Sequence, residues 1–164
     1  MTAFTPTPEN TRQLRDAYGR FATGVCIVTT RTDSGPVGMT VNSFSSVSLD
    51  PALVLWCPMK GSERTASFTG ASHFAIHVLR EDQGDLAMAF AKNGDAFAGL
   101  DIVEGMGGVP LLPDCCARFE CEAAGQHEAG DHLIQVGQVL RAEFNSEFAP
   151  LIFAGGAFGG FNAV

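Results

Sequence analysis

The chain's 164 residues, 46% hydrophobic and 17% charged, make one globular domain with a real core and leave too little for two catalytic domains. A net charge of -8 weighs against nucleic acid and anionic membranes as partners, because both need clustered Lys and Arg. No apolar run nears the roughly 20 residues of a membrane span, and residues 1–15 lack the charged and apolar regions of a signal peptide, so a cytoplasmic protein is expected.

A polar, Pro-containing arm covers residues 1–9, and Asn10 then suits the cap of a helix. Leu14, Ala17, Tyr18 and Phe21 share one face of that helix, which is expected to pack on a sheet. Residues 25–30 are β-branched and apolar, Asp33-Ser34-Gly35 makes a turn, and residues 37–41 return as the second strand of a hairpin. Next comes Asn42-Ser43-Phe44-Ser45-Ser46-Val47-Ser48, a hydroxyl-rich loop between two apolar strands. Four serines and an asparagine placed in a core would leave donors and acceptors unpaired. The run is therefore either a ligand seat or a solvated serine loop.

Pro51 lacks the N–H that a central strand needs, so the next strand runs over 53–57 and stops at Pro58. A turn and short helix over 62–68, a strand over 73–79 and a helix over 82–91 follow from their apolar spacing. Residues 95–113, rich in Gly and Pro, are expected as a surface excursion that can serve as a lid. Residues 118–126 and 133–144 alternate as two longer strands, and 151–153 form a last one. Six or seven strands joined by turns favour an antiparallel barrel over a doubly wound parallel sheet. Thirteen Phe supply apolar surface beyond one small core, which points to a homo-oligomer.

The five cysteines are odd in number and form no Cys-x-x-Cys pair, which fits a reducing compartment and no metal site. Cys26 and Cys57 lie in apolar runs and are expected as small core residues. His73 and His77 are spaced for a metal only on a helix, and their segment is strand-like. Neither a phosphate-loop nor a dinucleotide glycine fingerprint is present, no Gly-x-Ser-x-Gly elbow occurs, and the terminal glycines 155–160 open no helix, so they read as a flexible or packing tail. Lys60-Gly61-Ser62-Glu63-Arg64-Thr65 places two cations and two hydroxyls at a helix start. It is an anion seat, or Ser62 is only a cap. Gly130-Asp131-His132 sets a carboxylate beside an imidazole, where a turn would let Asp131 fix the tautomer of His132.

Phe21-Ala22-Thr23-Gly24-Val25, the 38–51 segment, Ser62 with Thr65, the 73–79 strand, Phe97-Ala98-Gly99 and Gly130-Asp131-His132 resemble, in order and spacing, the short-chain flavin reductases of two-component flavin monooxygenases. The resemblance covers residues 11–158. It implies a mainly β, antiparallel Greek-key split barrel that binds FMN, with a few flanking helices. It further implies a homodimer that uses NADH or NADPH to reduce FMN or FAD, and a separate oxygenase that receives the reduced flavin by diffusion. On this sequence it sets the flavin ring against Val41, Asn42, Ser43, Phe44, Ser45 and Ser46, counts Thr40 among the cofactor-binding residues, and sets the ribityl phosphate against Ser48, Cys57 and Pro58. Lys60, Ser62 and Thr65 would hold the phosphate, His132 would orient nicotinamide or flavin as the catalytic residue, and Phe158 would stack on a ring. The chain departs from the family at His77, where Asn is usual, and at Ala154, Gly155 and Phe158, where Tyr or His, Arg and Tyr are common. Two other functions fit the same residues: a flavin-retaining reductase of another acceptor, such as a corrin or metal chelate, and a flavin-binding module without catalysis.

Overall fold

The computed structural model describes residues 1–162. In chain order the elements are α1 (Thr11–Tyr18), β1 (Thr23–Gly24), β2 (Cys26–Thr32), β3 (Gly35–Val41), β4 (Ser45–Leu49), β5 (Ala52–Trp56), α2 (Thr65–Thr69) and β6 (His73–Val78). They continue as α3 (Gly84–Lys92), β7 (Val103–Glu104), β8 (Pro110–Leu111), β9 (Ala117–Ala129), β10 (His132–Phe144), β11 (Ile152–Ala154) and β12 (Ala157–Gly159). The protein is mainly β. Seven strands form one antiparallel sheet in the order β3-β2-β6-β9-β10-β5-β4. Its two edge strands, β3 and β4, are joined by residues 42–44 alone. Three extended residues span about 10 Å, so the sheet must curl until its edges come within that reach.

Strand β2 is buried continuously from Cys26 to Thr30, as expected of a strand covered on both faces. Cys26 and Val28 join Met39, Val54, Trp56, Phe68, Phe74 and Ile76 in one cluster. Val25 and Ile27 instead meet Leu79, Ala87, Phe90, Phe97, Leu112 and Leu151. The period of two along one strand thus separates two cores. Trp56 sits edge-on to Phe68 and Phe74, with centroids at 5.1 and 6.0 Å. Each such ring stabilises by about 2–3 kcal/mol through burial. Helix α3 approaches β3 closely because position 38 is glycine; a Cβ there would meet the Phe90 ring at 2.5 Å.

Several expectations need correction. Most of the hydroxyl run is strand β4, paired with β5 and bulged between Ser46 and Ser48, so it is an edge strand and not a loop. Residues 95–113 are no free lid. Phe97, Val109, Leu111 and Leu112 are buried, Thr29 Oγ1 donates to the Pro110 carbonyl at 2.6 Å, and β7 pairs with β8. Of the two readings of the glycine-rich end, flexible or packing, the second applies: Gly155 and Gly156, at φ +58° and +83°, turn β11 into β12, and β11 pairs with β1. Positive φ at both positions favours glycine there. The apolar face of α1 is uncovered, since no α1 residue is buried and Tyr18 and Phe21 are exposed. Helix α2 begins at Thr65, and Cys57 is only half-buried.

His77 is fully buried inside β6. Its Nδ1 is 3.0 Å from the Ile27 carbonyl, and its Nε2 accepts the Leu112 N–H at 3.1 Å. The ring therefore carries its proton on Nδ1 and ties the 95–113 segment to the sheet.

Candidate functional site

Three segments distant in sequence meet beside the β4 edge. Ser43 Oγ accepts the Cys57 N–H at 2.9 Å, which pins the end of the β3–β4 link to the loop after β5. Lys60 N–H donates to the Asp131 carbonyl at 2.9 Å, and Met59 bridges His132, which brings that loop to the β9–β10 turn. The turn is only Gly130-Asp131, with Gly130 at φ +64°. Its tightness supplies the geometry that neighbouring residues of one strand lack: Asp131 Oδ1 accepts from His132 Nδ1 at 2.8 Å. The ring is thereby held as the Nδ1–H tautomer, with Nε2 left as its acceptor when neutral. The His132 bond holds the Asp131 carboxyl below its usual range, and the charge of Arg15 on α1 adds to this.

The predicted contact residues divide by what they already hold. Asn42 is exposed and donates to Thr23 Oγ1 at 3.3 Å. Ser45 is exposed and donates to the Ser46 carbonyl. Ser46, Ser48 and Ser62 make no side-chain hydrogen bond among the described residues, and β4 has no strand on its outer side. Thr40 and Thr65 are otherwise engaged. The Thr40 hydroxyl donates to the Ala87 carbonyl of α3 at 2.7 Å, and buried Thr65 donates to the Met59 carbonyl at 2.6 Å. Each fixes backbone beside the site. Val41 packs on the core, and Phe44 stacks on Phe119 at 5.5 Å.

Among the cations, Lys60 pairs with Glu128, a residue that becomes its neighbour only through the β9–β10 hairpin. Arg64 turns away from the seat and donates to the carbonyls of Phe90 and Ala91 at 2.5 and 2.9 Å, which caps the end of α3. Pro58 is buried behind the loop, and burial raises the Cys57 thiol. Phe158 lies apart, half-exposed and edge-on to Phe153 at 5.7 Å. Phe153 in turn lines a cleft of about 380 Å³ with Asn42, Arg15, Arg20 and Phe21. Sequence reading missed this cleft, because its walls come from α1, the β3–β4 link and the β11–β12 turn. Among the described residues, no three His, Cys, Asp or Glu side chains are grouped to hold a metal ion.

An open strand edge offers alternating N–H and C=O groups. With uncommitted serine hydroxyls beside it, it fits a flat heterocycle bearing both donors and acceptors along one rim. The family model of the flavin reductase like domain matches residues 18–162. The chain belongs to this family. As a flavin reductase like domain it is 55% identical over 159 residues to the FMN reductase (NADH) SmoA of Agrobacterium fabrum, with 97% of this chain and 91% of that one covered. It is 45% identical to the reductase component of the flavin-dependent trigonelline monooxygenase of Acinetobacter baylyi, over 90% of this chain but only 48% of that longer protein. Among solved structures it superposes on the NADH:FAD oxidoreductase SgcE6 of Streptomyces globisporus with a TM-score of 0.91, at 38% identity, over 100% of this chain and 95% of that one. A second structure of SgcE6, in complex with NAD and FAD fragments, gives 0.90 over 98% of both chains.

Proposed function

We propose that the chain is an NAD(P)H-dependent flavin reductase that reduces FMN or FAD and releases it to a separate monooxygenase component. The observation that carries the reading is the junction of β4, the 57–62 loop and the Asp131–His132 pair, within a chain that matches the family over nearly its whole length. The flavin and the nicotinamide supply the hydride chemistry when bound. What the chain's own residues contribute is binding and alignment. The β4 edge with Asn42, Ser43, Ser45 and Ser46 would take the polar rim of the ring. Ser48, Ser62 and Lys60 would take the ribityl phosphate, where Lys60 shares its charge with Glu128. Thr40, Cys57 and Thr65 hold the backbone that carries these groups. His132, oriented by Asp131, would position the reacting rings.

The curled sheet whose edges are bridged by three residues supports a Greek-key split barrel. Exposed Leu49 and Val47 on β4 support a homodimer joined near the flavin sites. Among the described residues no helix is long and apolar enough to cross a membrane, and none of the five cysteines is paired; a cytoplasmic setting suits these thiols. The test is anaerobic mixing of the protein with FMN or FAD and NADH, with absorbance followed near ~450 nm, the band of the oxidised cofactor. Protein-dependent bleaching is expected. A spectral shift without bleaching would leave a flavin-binding module, and no change would end the flavin reading.

A further inference from the structure

We propose that Glu128 sets how tightly the chain holds a flavin phosphate: as the counter-charge of Lys60 it weakens that hold, and weakens it more for FMN than for FAD. The inference rests on the reductase reading for its ligands and on one ion pair of this chain for its place. Of the two cations in the 60–65 stretch, Arg64 is turned to the carbonyls at the end of α3, so Lys60 is what the stretch has left for an anion. That ammonium already holds a carboxylate, Glu128. The hairpin fixes the two together. Glu128 lies opposite Leu133, whose N–H donates to the Pro58 carbonyl at 3.0 Å, and the Lys60 N–H donates to the Asp131 carbonyl at 2.9 Å. Backbone bonds on both sides thus keep the carboxylate beside the ammonium.

The pair can yield to a ligand. The Glu128 side chain is 76% exposed and that of Lys60 37%, and ion pairs so open to water contribute little and are screened by salt. A phosphate entering beside Ser48 and Ser62 can take the ammonium, but it then meets the Glu128 carboxylate as a like charge. Asp131, whose carboxyl His132 holds below its usual range, adds a second carboxylate to the same turn. The seat therefore offers hydroxyls and one shared cation. Repulsion from Glu128 grows with the charge of the ligand. The phosphate of FMN is a monoester with roughly two negative charges near neutral pH. In FAD the same phosphate is a diester and carries one, and riboflavin carries none. Glu128 thus opposes FMN most, FAD less and riboflavin not at all.

The variant Glu128→Gln keeps the size of the side chain and removes its charge. Its control is Glu122→Gln, which removes an exposed carboxylate six residues earlier on β9, roughly 20 Å away at the rise of a strand. Kd for FMN, FAD and riboflavin is measured by flavin fluorescence for each protein. Glu128→Gln should lower Kd by about 3- to 10-fold for FMN and by about twofold for FAD, with riboflavin unchanged. Lys60→Ala should act in the opposite direction with the same ranking. The gain should be largest near 0.01 M ionic strength and shrink near 1 M, where the screening length falls from about 30 Å to about 3 Å. The inference is overturned if FMN does not bind more tightly, if FAD gains as much as FMN, if riboflavin follows, or if Glu122→Gln does the same. Should none of the three flavins bind the native protein, the reductase reading itself fails and the inference with it, a result distinct from binding that Glu128→Gln leaves unchanged.

Discussion

His132 and His77 are one residue type in two environments, and burial decides what each can do. His132 is half-exposed at a turn, with Asp131 holding one nitrogen and the other left to act outward. His132→Ala should lower kcat by about tenfold or more, the lower range for a lost positioning group, while flavin Kd in a fluorescence titration changes little. A parallel loss of both would make the residue structural. His77 is inaccessible, and burial, opposed by its bond to Ile27 and aided by nearby Arg118, pushes its pKa down to about 4. An unfolded chain takes up that proton near pH 6.5. Stability from the neutral ring is therefore complete above that pH, declines as pH falls toward 4, and is lost below it. The loss is on the order of 3 kcal/mol. Urea unfolding of His77→Asn should show a flatter dependence between pH 6.5 and 4 than the native protein. Identical slopes would place the acid sensitivity elsewhere.

At the level of elements, local pattern made some segments legible and not others. The β2–β3 hairpin, β5, β6 and the β9–β10 ribbon were readable because β-branched or alternating residues run between turn residues. Strand β4 was not, since serines carry weak strand preference and its pairing comes from β5, across a bulge. The 95–113 segment reads as loop because its anchors are remote: Thr29 on Pro110, and His77 on Leu112. The candidate site divides in the same way. Its motifs, the hydroxyl run, the Ser62–Thr65 stretch and Gly-Asp-His, are local and visible. The bonds that join them, Ser43 to Cys57 and Lys60 to Asp131 and Glu128, depend on pairing between segments far apart in the chain. So does the commitment of Thr40 to α3, which composition cannot reveal.

For the whole molecule, one copy of the chain leaves large apolar side chains in water. Leu49 is 97% exposed and Val47 51%, both on an edge strand that pairs on one side only. An edge left this way invites association unless something specific covers it. In the proposed homodimer a second copy of the chain would cover the Val47 and Leu49 side chains and would shelter the adjoining serines from water, where their hydrogen bonds to a ligand gain strength. Val47→Glu/Leu49→Glu places two like charges there, which a buried interface does not tolerate. Light scattering should show a dimer for the native chain and a monomer for the variant. If the flavin seat is completed across the interface, flavin Kd should rise by about tenfold or more, the loss of roughly one charged hydrogen bond or its equivalent, while the far-ultraviolet spectrum stays native. A variant that remains dimeric would remove β4 from the interface. A monomer with unchanged flavin affinity would show that each chain builds its seat alone.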